Sequence, residues 1–145
     1  MYSDRPRTLI HNDVHGDNLL VAEDGERSLA ILDWQLTTPA RPGPDLAGFL
    51  VGHLETTERR RHENRLLKMY YSVLIQHGIT GYSFEQCLDD YRMALVLPTS
   101  YLAIAVGHPQ SPTATLDGDW NVGFPRYAQA LADLGVAELL QQRYG

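Results

Sequence analysis

The sequence is poor in cysteine and has no long hydrophobic run near its start. A single cysteine, Cys87, cannot form an internal disulfide, and this fits a reducing compartment. The opening residues, MYSDRPRT, are polar, and no apolar segment long enough for a signal peptide or a membrane span follows them. We therefore expect a cytoplasmic protein that does not enter a membrane.

The charge balance excludes a further class of partner. The 145 residues carry a formal net charge of −6, with 43% hydrophobic and 21% charged residues. This composition predicts one globular domain over residues 1–145. A negative net charge argues against a nucleic-acid partner and mildly favours neutral or cationic ligands.

The stretch from Leu9 to Leu20 reads LIHNDVHGDNLL, a polar loop between two apolar ends. Within it Asp13 precedes Asn18 by five positions, the spacing of a phosphotransferase catalytic loop. In such loops the Asp accepts or orients the proton of the attacking hydroxyl, and the Asn coordinates a nucleotide-bound Mg²⁺. The spacing therefore indicates phosphoryl transfer.

A second acid, Asp33, ends the apolar run LAILDW that begins at Leu29. We expect residues 18–22 to form one strand, residues 23–28 a turn around an Asp-Gly pair, and residues 29–32 the return strand. This hairpin would bring Asn18 and Asp33 to the same end. Their side-chain oxygens would then approach a common point, with Asp13 facing the same cleft.

Three segments, LIHNDVHGDNLLV, ILDWQ and PDLAGFL, follow one another in the chain. In order and separation they resemble the C-terminal lobe of the aminoglycoside phosphotransferase and choline kinase family of small-molecule kinases. The resemblance implies an α+β fold, the mainly helical C-terminal lobe of the protein-kinase-like fold, with a small β-hairpin carrying the catalytic and metal-binding loops. It also implies a phosphotransferase that uses ATP and Mg²⁺ and acts on a hydroxyl of a small molecule.

The same resemblance assigns a role to each matching residue. Asp13 becomes the catalytic base, and Asn18 and Asp33 become the Mg²⁺ ligands. His11 braces the loop, while Asp45 hydrogen-bonds back toward it and caps the following helix. By the same resemblance, Leu20 and Leu32 would form the apolar surface under the adenine. Apart from the resemblance, His15 is the nearest possible cation to the phosphates, although a histidine is largely uncharged at neutral pH.

The sequence departs from that pattern in two ways. Protein kinases usually carry a Lys two residues after the catalytic Asp and a Phe-Gly pair after the metal-binding Asp, whereas this chain has His15 and Trp34-Gln35 there. A small-molecule acceptor is therefore favoured. The family's N-terminal lobe, which supplies a Gly-rich loop and a phosphate-binding Lys, is absent from this chain, which we expect to be a fragment or a truncated form.

The absence of that lobe leads to an expectation about the chain alone. We expect it to bind Mg²⁺-ATP weakly and to have no robust kinase activity, because the phosphate-holding groups belong to the missing lobe. Without that lobe, the apolar side chains of Leu20 and Leu32 would be exposed. Their exposure would favour a homodimer or a partner that covers them in place of the N-terminal lobe.

Two other functions compete with this interpretation. A kinase-like lobe of this kind could serve as a non-catalytic binding module. The run DVHG, from Asp13 to Gly16, also resembles the first metal-binding signature of calcineurin-like metallophosphoesterases. The sequence has no later Gly-Asn-His signature, which makes a metallophosphoesterase the weaker alternative.

The middle of the chain predicts a loop and two helices. Thr37 to Pro44, with its prolines, predicts a loop. A helix is expected from Asp45. Leu46, Phe49, Leu50 and His53 share one of its faces, which would point inward if this is a core helix. The next helix is expected to begin with a cap at Thr56 or Thr57 and to end near His77. Its apolar face comprises Leu66, Leu67, Tyr70, Tyr71 and Leu74, and the cluster Arg59, Arg60 and Arg61 is expected to be solvated.

The last third predicts two further helical regions. Ser83 and Gln86 form a capping box for a helix whose apolar end, Ala94 to Val106, is expected to kink at Pro98. Gly107 to Gly123 predicts a loop in which Asp117 or Asp119 either lines the acceptor pocket or is simply solvated. Pro125 to Tyr144 predicts a helical hairpin broken near Gly135, with Ala128, Leu131, Leu134, Leu139 and Leu140 inward.

Overall fold

The computed structural model describes residues 5–22, 28–100 and 120–145, and it has a mostly helical α+β fold. The strands are β1 (Thr8–Ile10), β2 (Leu19–Val21), β3 (Leu29–Ile31) and β4 (Thr38–Ala40). The helices are α1 (Gly43–His53), α2 (Thr56–Gln76), α3 (Phe84–Ala94), α4 (Trp120–Asp133) and α5 (Val136–Tyr144). Two short 3-10 helices, Gly16–Asn18 and Trp34–Leu36, lie before β2 and before β4.

The predicted hairpin is confirmed. Strands β2 and β3 pair antiparallel, with Leu19 opposite Ile31 and Leu20 opposite Ala30. The Leu32 N–H donates to the Asn18 carbonyl at 2.8 Å, which extends the pairing to the base of the hairpin. The predicted turn lies mostly outside the described residues.

The prediction of a loop over residues 37–44 is wrong. Strand β4 pairs antiparallel with β1, so that Leu9 lies opposite Pro39, and helix α1 already begins at Gly43. Pro39 is tolerated because this sheet has only two strands, and an edge strand can leave its outer backbone groups without partners. Pro44 lies in the first turn of α1, where its missing N–H removes no helical hydrogen bond.

The core lies among the helices rather than in the sheets. Helix α1 contacts α2, α3 and α4, and its buried residues include Ala47, Leu50 and Val51. The predicted inward face is therefore wrong at Phe49, which is 40% exposed, and at His53, which is also exposed. Each large apolar side chain buried here contributes about 1.5–3 kcal/mol.

Helix α2 corrects two predictions. It begins at Thr56 with Glu55 at its N-cap and no side-chain capping bond, so neither Thr56 nor Thr57 caps it. The predicted apolar face is confirmed, because Leu67 is buried and the other four residues are partly buried. The arginine cluster is not uniformly solvated: Arg59 is 1% exposed and pairs with Glu63 and Asp133.

Helix α3 begins as predicted, because the Ser83 and Gln86 side chains form both bonds of a capping box. The break that follows lies at Leu95 rather than at Pro98, and residues 96–100 are helical again. Pro98 then falls in the first turn of the new helical segment, where proline needs no N–H partner. Residues 101–106 lie outside the described part.

The C-terminal hairpin is confirmed, with its break at Gly135, where φ is +57°. Helix α4 starts at Trp120, so the predicted loop to Gly123 is too long, and Asp117 and Asp119 lie outside the described residues. Of the predicted inward side chains, Leu139 is buried, whereas Ala128 is exposed. Within the described ranges, no helix combines the length and the apolar character that crossing a membrane requires.

Candidate functional site

The polar loop between β1 and β2 brings Asp13, His15 and Asn18 together. The Asn18 Nδ2 group donates to the Asp13 carbonyl oxygen at 3.0 Å and to the Asp13 carboxylate at 3.3 Å. It also lies 2.9 Å from His15 Nε2. Asn18 is buried, whereas Asp13 and His15 are partly exposed. The Asp13 carboxylate is therefore accessible to solvent, while the Asn18 amide beside it is buried and held by hydrogen bonds.

These contacts fix the orientation of the Asn18 amide. Both Asp13 atoms are acceptors, so the NH₂ group faces them. On the other side of the His15 ring, Nδ1 lies 3.7 Å from the Asp17 carboxylate. The Asn18 Oδ1 atom is not used in any of these bonds. It therefore remains available as a hard oxygen ligand.

Asp45 ties helix α1 to the same loop. Its two carboxylate oxygens accept hydrogen bonds from the backbone N–H groups of His11 at 2.8 Å and Asn12 at 2.7 Å. The expectation that Asp45 also caps α1 is wrong, because the N-cap position is Pro42 and no side chain caps the helix. The carboxylate holds the loop instead.

His11 lies under the loop and connects it to the hairpin. The side chain is 3% exposed, and its Nε2 donates to the Leu32 carbonyl at 2.7 Å. Its ring also meets the Trp34 ring edge to face, with centroids 4.8 Å apart. His11 therefore links the loop to the strand that leads to Asp33.

Asp33 lies at the base of the hairpin, one residue beyond Leu32, which pairs with Asn18. Its backbone is left-handed, with φ +58° and ψ +65°, and its side chain accepts a hydrogen bond from Gln35 Nε2 at 3.3 Å. Asp33 and Asn18 are thus at the same end of the hairpin. A non-glycine residue held in this conformation is costly and is often retained for function.

The two leucines expected under the adenine lie on one face of the hairpin. Leu20 is opposite Ala30, and Leu32 is opposite Asn18, so strand alternation directs both side chains to the same side. Leu20 is 54% exposed and Leu32 is 42% exposed. They form an apolar surface that begins beside Asn18.

A cavity of about 480 Å³ opens next to Asp13. The loop contributes Asn12, Asp13 and Val14 to its lining. The lining also includes His53 from α1, Leu97, and Tyr127 from α4. A second cavity, of about 640 Å³, lies between residues 96–100 and helices α4 and α5, and none of its lining residues belongs to the loop. Of these two cavities, the one beside Asp13 is lined by a candidate site residue.

Sequence reasoning missed His53 and Tyr127 as members of this site. Helical periodicity assigns His53 to a packed face of α1. In the structure its ring instead lies near the loop, with its centroid 6.3 Å from that of the His15 ring. Partial burial, followed by the charges of His15 and Arg126, lowers the pKa of His53, and burial raises the pKa of Tyr127. The one signal in the sequence is the place of His53 in the last turn of α1, where a polar side chain can turn toward the loop.

Asn18 and Asp33 carry hard oxygen donors, the type that Mg²⁺ prefers. A Mg²⁺ site often takes one or two protein oxygens and completes its shell with other ligands and water. Asn18 Oδ1 and the Asp33 carboxylate supply two such oxygens at one end of the hairpin. Over the residues that the structure describes, no cluster of three or more His, Cys, Asp or Glu side chains is placed to hold a metal without added ligands.

The family comparison gives one match. Residues 6–109 match the family model DUF1679, which is described as "Uncharacterized oxidoreductase dhs-27". The match spans more than half of the chain, and the chain therefore belongs to this family. No curated protein and no solved structure gives a significant match.

Proposed function

We propose that this chain carries the acceptor and metal-binding half of an ATP-dependent phosphotransferase that acts on a hydroxyl of a small molecule. The observation that carries the proposal is the contact between Asn18 Nδ2 and the Asp13 carboxylate. This contact places the candidate base beside the candidate metal ligand, while Asp13 also lines a cavity large enough for a small molecule.

In the proposed chemical step, Asp13 is the group that accepts the proton. The acceptor oxygen forms a bond to the γ-phosphorus of ATP, and the bond from that phosphorus to the β–γ bridging oxygen breaks, which leaves ADP. Asp13 accepts or orients the hydroxyl proton, which then passes to solvent. General-base assistance of this kind contributes about 10²- to 10⁴-fold to a rate.

Asn18 and Asp33 would hold the metal on the phosphate side of Asp13. When bound, Mg²⁺ would neutralise the charge of the phosphates and position them. His11 and Asp45 keep the two ligands in place, because they bind the loop to the hairpin and to α1. Leu20 and Leu32 would offer the apolar face to the adenine, and His15 would lie nearest the phosphates.

Two further observations support the kinase-like interpretation. The arrangement of a catalytic loop, a hairpin and a following helix that starts near Asp45 matches the motif order of the aminoglycoside phosphotransferase and choline kinase family. The family to which this chain belongs is itself related to the kinase-like fold.

Metal binding can be tested without turnover. Mn²⁺ takes the oxygen sites of Mg²⁺ and broadens nearby NMR signals, so Mn²⁺ with ATP should broaden the Asn18 side-chain signals. Asp33→Asn should remove this broadening, and the control Asp17→Asn, which alters a fully exposed carboxylate nearby, should keep it. Equal broadening in both variants would disprove the assigned metal site.

Turnover tests the role of Asp13. In a longer chain that includes the N-terminal lobe of the kinase-like fold, or with that lobe supplied separately, the Asp13→Asn variant should lose phosphoryl transfer from Mg²⁺-ATP to a library of small alcohols by at least about 10²-fold while it keeps the Mn²⁺ response. The assay follows ADP release and phosphate-ester formation together. An Asp13→Asn variant that transfers phosphate at the parent rate would show that another group takes the proton.

The description of the family supplies a second candidate, an oxidoreductase. One feature of the sequence disfavours it: residues 1–145 contain no Gly-x-Gly-x-x-Gly run, the fingerprint of dinucleotide binding. A nicotinamide oxidation assay with the same library of alcohols separates the two functions. Reduction of the nicotinamide without ADP release would favour the oxidoreductase.

A further inference from the structure

The walls of the cavity beside Asp13 are largely apolar or small. Val14 of the loop, Leu97 and Pro98 contribute apolar side chains to the lining. Gly48 and Gly52 of α1 also line the cavity, and because they have no side chains they leave space in it. A Cβ at Gly52 would lie 3.6 Å from the Tyr127 hydroxyl, so larger side chains there would fill the cavity.

Among the described residues that line the cavity, no carboxylate other than Asp13 is available to a cation. The other polar side chains of this lining are Asn12, His53 and Tyr127. Arg126 donates to the Gly52 carbonyl at 2.9 Å and pairs with Glu55, so it adds no uncompensated charge of either sign. A cationic ligand would lose its hydration against these walls and would gain only Asp13 as a counter-ion.

We propose that the acceptor is a neutral alcohol with a mainly apolar body, and that His53 and Tyr127 help to select it. This inference rests on the phosphotransferase function proposed above. The hydroxyl would lie at Asp13 and receive the phosphoryl group by the step already given. The body would pack against Leu97 and Pro98, while His53 and Tyr127 offer hydrogen bonds to its other polar groups.

A pair of probes with the same shape tests the selectivity. Choline and 3,3-dimethylbutan-1-ol differ in one atom, because the cationic nitrogen of choline is a carbon in the neutral alcohol. Each is titrated into the 145-residue chain, and the His53 ring and Asn12 amide signals are followed by NMR. The neutral alcohol should shift both signals saturably, with a dissociation constant about 10-fold below that of choline, equal to about 1.4 kcal/mol.

A charge placed in the wall should reverse the preference. Leu97 is 63% exposed, so Leu97→Glu should fold and should favour choline over the neutral alcohol. The matched control Val73→Glu, at a residue 45% exposed on α2, should leave the preference unchanged. Equal or tighter binding of choline to the parent chain, or no shift with the neutral alcohol, would overturn the inference.

The outcome is separable from that of the proposed function. Phosphoryl transfer to cationic alcohols at a rate equal to or above that for neutral ones would overturn this inference and support the phosphotransferase. Selective binding of the neutral probe, with no transfer to any alcohol even when the N-terminal lobe of the kinase-like fold is supplied, would support the neutral selectivity of the cavity and count against the phosphotransferase.

Discussion

The Asp45 carboxylate accepts a hydrogen bond from the backbone N–H of Asn12 at 2.7 Å, and Asn12 has a left-handed backbone with φ +66°. The second carboxylate oxygen accepts from the adjacent His11 N–H. One side chain of α1 thus holds two successive N–H groups of the loop that carries Asp13. The loop conformation depends on a residue more than thirty positions away in the sequence.

Removal of the Asp45 charge should loosen this loop. Asp45→Asn leaves one oxygen for two N–H donors and should cost about 1.5–3 kcal/mol, the usual value of a hydrogen bond to a charged group. Thermal unfolding and amide exchange at His11 and Asn12 measure the effect. The control Asp17→Asn, at a fully exposed side chain, should leave both unchanged. Unchanged exchange in Asp45→Asn would show that the loop holds its own conformation.

The three consecutive arginines of α2 should differ sharply in their contribution to stability. Arg59 is 1% exposed and pairs with Glu63 and Asp133. Arg59→Ala removes the ion-pair partner of Glu63 and one of the two arginine partners of Asp133, which keeps Arg60. We expect a loss of about 3–5 kcal/mol in the free energy of unfolding. The side chain of Arg61 is 73% exposed. Arg61→Ala should therefore lower the free energy of unfolding by less than about 1 kcal/mol.

Urea unfolding of both variants gives this comparison. Losses of similar size in Arg59→Ala and Arg61→Ala would mean that the buried pairing does not stabilise the fold. A third variant, Arg59→Lys, keeps the charge but loses the forked contact to two carboxylates. Its stability should lie between that of the parent and that of Arg59→Ala.

The same cluster predicts how stability depends on pH. Hydrogen bonds from Arg60, Gln129 and Arg59 hold the pKa of Asp133 well below its usual value. The unfolded chain then binds the proton more readily, so this stabilisation is complete above the unfolded pKa of about 3.9 and is lost as pH falls below it. The free energy of unfolding should fall between about pH 5 and pH 2, and Asp133→Asn should reduce that slope. An unchanged slope would show that other carboxylates control acid unfolding.

Local signals explain what the sequence could predict. The hairpin of β2 and β3, the capping box of Ser83 and Gln86, and the break at Gly135 each depend on residues close together in the chain. The loop spacing of Asp13 and Asn18 is equally local. Short-range turn and cap chemistry is readable because its partners lie within a few positions.

The errors involve partners that are distant in the sequence. Arg59 is buried because it meets Asp133, 74 positions away. Strand β4 forms in spite of Pro39 because β1 pairs with it. The cavity wall combines α1 with Tyr127 of α4, which no periodicity of one helix predicts. Long-range contacts override local preference at each of these positions.

The left-handed backbone of Asp33 allows a test that separates stability from function. Glycine adopts φ +58° without the steric cost that an L side chain bears, a difference of about 1–2 kcal/mol that is smaller for Asp. Asp33→Gly should therefore be as stable as the parent or slightly more stable, while it removes the candidate metal ligand. We expect an equal or higher melting temperature and loss of the Mn²⁺ broadening at Asn18.

Asn12→Gly is the matched control, because Asn12 has φ +66° and is not a candidate metal ligand. Its stability should change in the same direction, but it should keep the Mn²⁺ response. Persistence of the response in Asp33→Gly would remove Asp33 from the metal site. A marked loss of stability in Asp33→Gly would instead show that the carboxylate is retained for the fold, through its contact with Gln35, rather than for the metal.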